Sequence, residues 1–324
     1  EYPSAAFLYK PASTAEQDVS ETGVIIDDYL VLTAGHVVKH LRDYRLENSI
    51  LVNPEGEAPL FVVQGKIPID LPLEQALLSL TDTNRIRFVS HIVFAEGFEE
   101  VAPNVYKNDL AIIVTAGYAG TYSERTEPVF DPFPHEWQAD VTGPIQWAAG
   151  VDPNDRFDCR VDLVTYGPGP NLEVSGEKRV GSMCQAWGKI REMDNYTAIM
   201  QPYFEAAYDI QVPNREISLE EYIDLSMQPG LDSGPMTEYV SASSAFHTKS
   251  LAPNAPPPAH PCEGDSGGGL YLRGTNFLTG IFTSGSAQNV CGDEFFQQVI
   301  FFRGARLTDY SSFIRSMREA TRSR

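Results

Sequence analysis

The stretch Cys262-Glu263-Gly264-Asp265-Ser266-Gly267-Gly268-Gly269 constrains this chain more than any other. It places a serine between glycines, with an aspartate directly before it, and apolar runs on either side. Gly267 and Gly268 add no side chains, so a second backbone can approach the Ser266 hydroxyl closely. The N–H groups of Gly264 and Ser266 can converge on one point and stabilise an oxygen that gains negative charge there. Taken alone, the segment reads as readily as a Gly-rich β-turn, because short motifs match by chance. The residues upstream decide between the two readings.

A nucleophilic serine is weak without a base, usually histidine, and the base needs a group to orient it. His36 is the best base candidate. It ends the apolar run Tyr29-Leu30-Val31-Leu32 after the small residues Thr33-Ala34-Gly35. Asp109 is the best orienter, standing at the mouth of the buried-looking run Leu110-Ala111-Ile112-Ile113-Val114. Singly, His36 reads as a satisfied core histidine and Asp109 as a strand-capping turn residue. Together, in the order His, Asp, Ser, the segments TAGH, NDLAI and GDSGG resemble the trypsin/chymotrypsin family of serine endopeptidases.

The resemblance runs from about Tyr2 to about Met317, with interruptions. Cys184-Gln185-Ala186-Trp187-Gly188 is similar to the segment that opens the family's second half. Gly280 to Gly285 is similar to the strand that pairs with a bound substrate, and Arg306 to Ile314 to the entry of the C-terminal helix. It implies an all-β fold of two packed six-stranded antiparallel β-barrels with a C-terminal helix and the active site in the cleft between them. Residues 1–116 would form the first barrel, carrying His36 and Asp109. Residues 117–183 would be a long inter-barrel connection with inserted loops, and 184–324 the second barrel, carrying Ser266.

Composition bounds the class and the partners. A chain of 324 residues is long enough for a real core, and 42% hydrophobic content places it among globular proteins. No apolar run reaches the ~18 residues of a membrane span. Forty-four acidic residues against 24 basic ones give a net charge of −20, which argues against nucleic acid as a partner. Four cysteines are compatible with two disulfides in an oxidising compartment, and none is spaced as a zinc site. No metal or organic cofactor is expected. The start at Glu1, without Met or a signal-peptide pattern, reads as a processed or trimmed form. The chain is expected to be secreted and extracellular, and Asn195-Tyr196-Thr197 is a glycosylation sequon.

Local patterns give Tyr2–Tyr9, Gly23–Leu32, Ile50–Val52, Leu60–Val63 and Ile86–Phe94 as strands of the first barrel. Residues 117–181, punctuated by Pro, Gly and Asp, read as loops and hairpins that lengthen the connection, with an exosite or lid as the alternative. Thr197–Val212 reads as paired strands, and Ser218 as the N-cap of a helix with Glu221 completing a capping box. Met236–Phe246, Phe277–Ser284 and Gln297–Arg303 read as strands, and Ser311–Thr321 as an amphipathic helix.

The mechanism implied by the resemblance gives Ser266 as nucleophile, His36 as general base and acid, and Asp109 as the group that fixes the imidazole. Gly264 and Ser266 N–H would hold the oxyanion. Thr283, Ser284 and Gly285 would line the substrate strand, with His260 at the pocket floor and Glu263 near its entrance. With His260 in place of an aspartate there, no preference for Lys or Arg carries over. The resemblance also implies a Cys262–Cys291 bridge beside the nucleophile. Leu272 stands where Cys184 would find its usual partner, so the second implied bridge is Cys159–Cys184. Protein or peptide substrates are the expected partners, with protein inhibitors in addition, and the chain is expected to be a monomer.

In this family the aspartate before the nucleophile, here Asp265, pairs with an ammonium freed by cleavage, so the precursor is a nearly inactive zymogen. No Ile-Val-Gly-Gly opens this chain. Either the activating segment has been removed or omitted or Asp265 has another partner, so Asp265 is expected either to be held by polar groups from within the chain or to swing out and collapse the oxyanion site. Two rival readings stand beside the endopeptidase: a latent or inactive protease-like binding protein, and an α/β-hydrolase esterase. The esterase order is Ser, Asp, His, which this chain does not follow.

Overall fold

Successive residues of a strand point to opposite faces, and here both faces are buried. In strand β1 (Ala5–Lys10), Ala5, Phe7 and Tyr9 join one apolar cluster while Ala6 and Leu8 join another. The same split divides Val24 and Ile26 from Ile25, and Leu30 and Leu32 from Val31. Such strands appear in the sequence as unbroken apolar runs. The computed structural model describes residues 2–10, 19–41, 45–47, 50–52, 61–64, 86–102, 105–115, 127–128, 158–167, 178–186, 205, 208–209, 212, 214–227, 237–241, 264–272, 275–285 and 301–322.

The first sheet continues with β2 (Val19–Asp27), β3 (Leu30–Thr33), β4 (Arg45–Glu47), β5 (Ile50–Val52), β6 (Phe61–Gln64) and β7 (Ile86–Phe94). After a small ribbon of β8 (Glu99–Ala102) and β9 (Val105–Lys107), it ends with β10 (Ala111–Thr115). Six strands close a ring in the order β10-β3-β2-β1-β6-β7, with β10 pairing back onto β7, and the β4–β5 hairpin hangs from β7. The second sheet holds β11 (Glu127–Pro128), β12 (Asp158–Thr165), β13 (Arg179–Ala186), β14 (Thr237–Ser241), β15 (Gly269–Leu272), β16 (Phe277–Gly285) and β17 (Phe301–Arg306). Again six strands close a ring, β16-β15-β12-β13-β14-β17, sealed by β16 on β17. In each ring the first strand pairs with the second and fourth, and the sixth with the third and fifth. The two barrels therefore share one connectivity, a structural repeat with no sequence repeat behind it. The expected pair of six-stranded antiparallel barrels is what the chain forms.

Three local expectations differ. Asp158–Thr165 lies inside the stretch read as an inter-barrel connection, yet it is the first strand of the second ring, and β13 begins at Arg179. The second ring thus starts well before Cys184. The alternating Val161, Leu163 and Thr165 carry the strand, and the Pro, Gly and Asp around them hid it. Gly23–Leu32 splits into β2 and β3 at the turn Asp28-Tyr29. Within 197–212 the described residues Glu205, Tyr208 and Asp209 are helical, and Val212 N–H donates to Tyr208 O at 3.0 Å.

Helix α1 (Leu219–Met227) is capped as expected, with Glu221 N–H donating to Ser218 Oγ at 3.1 Å. Helix α2 (Ser311–Arg322) buries Ile314 and is tied to the end of β2. Arg318 Nη2 donates to Ile26 O at 2.6 Å, and Asp27 Oδ2 lies 3.7 Å from Arg318 Nε and 3.5 Å from Arg322 Nη2. Across the barrel interface Phe7, Leu32 and Ile112 share a core with Tyr166, Tyr271 and Ile281. Polar ties sit among them: Tyr166 N–H to Thr22 Oγ1 (2.8 Å), Tyr2 OH to Asp162 Oδ2 (2.6 Å) and Ser4 Oγ with Tyr271 OH (2.9 Å).

Candidate active site

Strand β3 ends at Thr33, and the next two residues turn the chain so that His36 begins a short 3-10 segment, His36–Leu41. Gly35 is required there. A Cβ would come to 2.6 Å from the Phe98 ring and 3.1 Å from Asp109 Oδ1. From the other side, Asn108 adopts φ of 51°, a left-handed conformation that Asn tolerates better than most residues. Its side chain donates to Gly97 O at 3.2 Å, and Asp109 follows with only 1% of its surface exposed.

That carboxylate is used at both oxygens. Oδ1 accepts the backbone N–H of His36 at 2.7 Å, and Oδ2 lies 2.7 Å from His36 Nδ1. A carboxylate acceptor at Nδ1 keeps the proton on that nitrogen and leaves Nε2 as the ring's acceptor. The imidazole stacks on Tyr106, with ring centroids 5.2 Å apart and planes 17° from parallel. Tyr106 is in turn fixed by Lys39 Nζ, which donates to its hydroxyl at 2.5 Å and to Glu100 Oε2 at 2.9 Å. The ring is therefore held at one edge and on one face, while 22% of the side chain stays exposed.

The Ser266 segment is pressed onto the same strands that lead to His36. Thr22 N–H donates to Ser266 O at 3.2 Å, and Gly267 N–H donates to Phe282 O at 2.8 Å. Gly267 has φ of 80°, and a Cβ on it would sit 2.0 Å from Thr22 O and 2.3 Å from Thr33 Oγ1. Only glycine allows this approach. The Ser266 hydroxyl donates to Thr283 O at 3.3 Å, and among the described residues no hydrogen bond joins it to His36. Gly267 and Gly268 N–H are both used, the latter by Asp265 O at 3.0 Å. Gly264 and Ser266 N–H donate to no backbone carbonyl among the described residues.

Asp265 is 1% exposed and points inward. Its Oδ1 accepts from Arg179 Nη2 at 2.7 Å, an ion pair between the Ser266 loop and the first residue of β13. Of the two outcomes expected for Asp265, the carboxylate held from within the chain is the one observed. Gly167 floors this site: a Cβ there would stand 2.1 Å from Asp265 Oδ1 and 2.8 Å from the Gly264 carbonyl carbon.

The other expected site residues divide by position. Thr283, Ser284 and Gly285 all lie on β16, with Thr283 buried at the irregularity where pairing with β17 shifts. Cys159 and Cys184 lie on neighbouring strands, in the interval between the register pairs Asp158–Gln185 and Val161–Met183. Cys262, Cys291, His260, Glu263 and Asn195 lie outside the described residues. Sequence reasoning missed Tyr106, Gly167 and Arg179. Tyr106 stands three residues before Asp109 and could have been sought there, whereas nothing local distinguishes Arg179 from any other strand-edge arginine.

The sequence matches no protein-family model and no curated protein. Among solved structures the chain is similar to one described as HL collagenase, at 15% identity and a TM-score of 0.52, covering 98% of this chain and 94% of that one. It is also similar to the scabies mite inactivated protease paralogue S-I1, at 14% identity and a TM-score of 0.46, covering 98% and 95%. At 15% identity the first likeness speaks for the fold alone. The chain has the all-β fold of trypsin-like proteases, two closed barrels followed by a C-terminal helix.

Proposed function

We propose that this chain is a secreted serine endopeptidase acting on protein or peptide substrates as a monomer. Ser266 Oγ attacks the scissile carbonyl while His36 Nε2 takes its proton and later returns it to the leaving amine. Asp109 keeps the imidazole in the tautomer that exposes Nε2 and stabilises the imidazolium. The developing oxyanion is held by Gly264 and Ser266 N–H, neither of which donates to a carbonyl among the described residues. The bridges Cys262–Cys291 and Cys159–Cys184, and a pocket floor at His260 that selects no basic side chain, belong to the same reading.

The observation that carries it is the doubly used, buried Asp109 carboxylate, 2.7 Å from both His36 N and His36 Nδ1. A histidine that merely filled a core would not be fixed at Nδ1 by a buried charge and left partly exposed. A latent form draws on one observation, the Ser266 hydroxyl turned to Thr283 O. At 3.3 Å that bond is long for O–H···O and is readily exchanged when substrate enters. The test is peptide hydrolysis by Ser266→Ala, His36→Ala and the double variant. Each single change should remove most activity, and the double should be little worse than either, since such groups act as a unit. Losses that multiply would contradict the shared mechanism.

A further inference from the structure

We propose that Arg179 is a positioning residue for the oxyanion site, and that this internal cation lets the site form as the chain folds, without a cation supplied by cleavage. The inference rests on the endopeptidase reading of Ser266.

A carboxylate with 1% exposure needs a countercharge or a proton. Arg179 Nη2 supplies the charge at 2.7 Å, from a side chain itself only 17% exposed. Asp265 is the residue between Gly264 and Ser266, so where its side chain is anchored sets the direction of both flanking amides. Three constraints converge on it. Arg179 holds Oδ1, Gly268 N–H holds the backbone carbonyl at 3.0 Å, and Gly167 closes the space beneath. Gly264 can take the φ of 92° that this course demands. Remove the cation and the carboxylate has reason to leave for water, which would turn the Gly264 and Ser266 amides away from their common point.

Arg179 lies on β13 and bonds Asp265, whereas His36 and Asp109 are held by contacts of their own. The pair therefore acts on the amides and leaves the base alone. This separates a positioning role from a structural one: kcat should fall with KM little changed, and the pH dependence set by the histidine should stay in place.

The experiment compares the full chain with Arg179→Gln, Arg179→Lys and the double variant Arg179→Gln/Asp265→Asn. Peptide hydrolysis, reaction with a fluorophosphonate and affinity for a peptide boronate are measured on each, with intact mass recorded on the labelled protein. We expect Arg179→Gln to lose at least about 100-fold in kcat, as when an oxyanion donor is removed. Boronate affinity should fall in parallel. Arg179→Lys should keep the charge and most of the rate. The double variant removes the stranded buried charge and should fold as well as the wild type even if the single variant does not, while remaining slow. Label on uncut wild-type chain is the expected mass result.

Arg179→Gln folded and equal to wild type in kcat and boronate affinity would overturn the proposal. So would a wild type that labels only after its chain is cut. A wild type that neither labels nor cleaves in any form would instead overturn the endopeptidase reading itself.

Discussion

Replacing Gly167 with alanine tests the packing around Asp265 with a single methyl group. The backbone of Gly167 is not in the left-handed region, so alanine brings no conformational strain. On chain entropy alone the change would stabilise by about 0.4–1 kcal/mol. The steric effect runs the other way and is larger. The new Cβ would sit 2.1 Å from Asp265 Oδ1 and 2.8 Å from both Asp265 Cγ and the Gly264 carbonyl carbon. Ordinary contact of a Cβ with another heavy atom begins at 3.4 Å, so the carboxylate oxygen must retreat by about 1.3 Å. A shift of that size takes it out of hydrogen-bond reach of Arg179 Nη2 unless the guanidinium follows. Overpacking costs about 1–3 kcal/mol, and a lost hydrogen bond between charged groups adds about 1.5–3 kcal/mol. The net expectation is a loss of about 2–5 kcal/mol, read from urea unfolding followed by far-UV circular dichroism. Peptide hydrolysis by the folded fraction should drop by about 100-fold, because the displaced loop carries the amides proposed to hold the oxyanion. Stability within about 0.5 kcal/mol of wild type, the range of neutral surface changes, with unchanged kcat, would refute the contact geometry.

Burial pushes the Tyr271 hydroxyl well above its ordinary value, against the lowering effect of its bond to Ser4. The protonated form is thus favoured in the folded state, so its contribution holds below about pH 10 and is lost as pH rises above the unfolded value. Tyr271→Phe should cost about 1 kcal/mol at neutral pH through the bond to Ser4, and should lose this disadvantage at about pH 11.5, where ionisation in the unfolded wild type is worth about 2 kcal/mol. Urea unfolding at both pH values measures this, and a constant difference would contradict it. Arg318→Ala removes the donor to Ile26 O and the less exposed of the guanidinium groups beside the buried Asp27, keeping Arg322. A loss of about 2–3 kcal/mol and faster amide exchange in residues 311–322 are expected; unaltered exchange would show that the helix is held by Ile314 packing alone.

The barrel strands other than β12 and the two helices were legible because each rests on local chemistry: apolar runs, a capping serine before α1, and turn residues between them. His36, Asp109 and Ser266 were legible for a related reason, since a glycine before the histidine and glycines after the serine are demanded by close contacts with Phe98 and Thr22. Strand β12 was not, because Val161, Leu163 and Thr165 form a short run among many prolines, glycines and aspartates. Its role is set by pairing with β13 and β15, contacts remote in sequence. Arg179 was hidden for the same reason. It lies 86 residues from Asp265, and no periodicity in the sequence links a strand-edge arginine to a turn so far away. The shared connectivity of the two barrels is likewise a property of pairing and not of any repeated residue.

The proposed activity requires Ser266 to be a nucleophile activated by His36. The most direct measurement is reaction of the full chain with a fluorophosphonate, followed by peptide mapping of the modified residue. The prediction is one label per chain, located on Ser266 and abolished by His36→Ala and by Ser266→Ala. A chain that is folded yet takes no label, or takes it on another residue, would contradict the account.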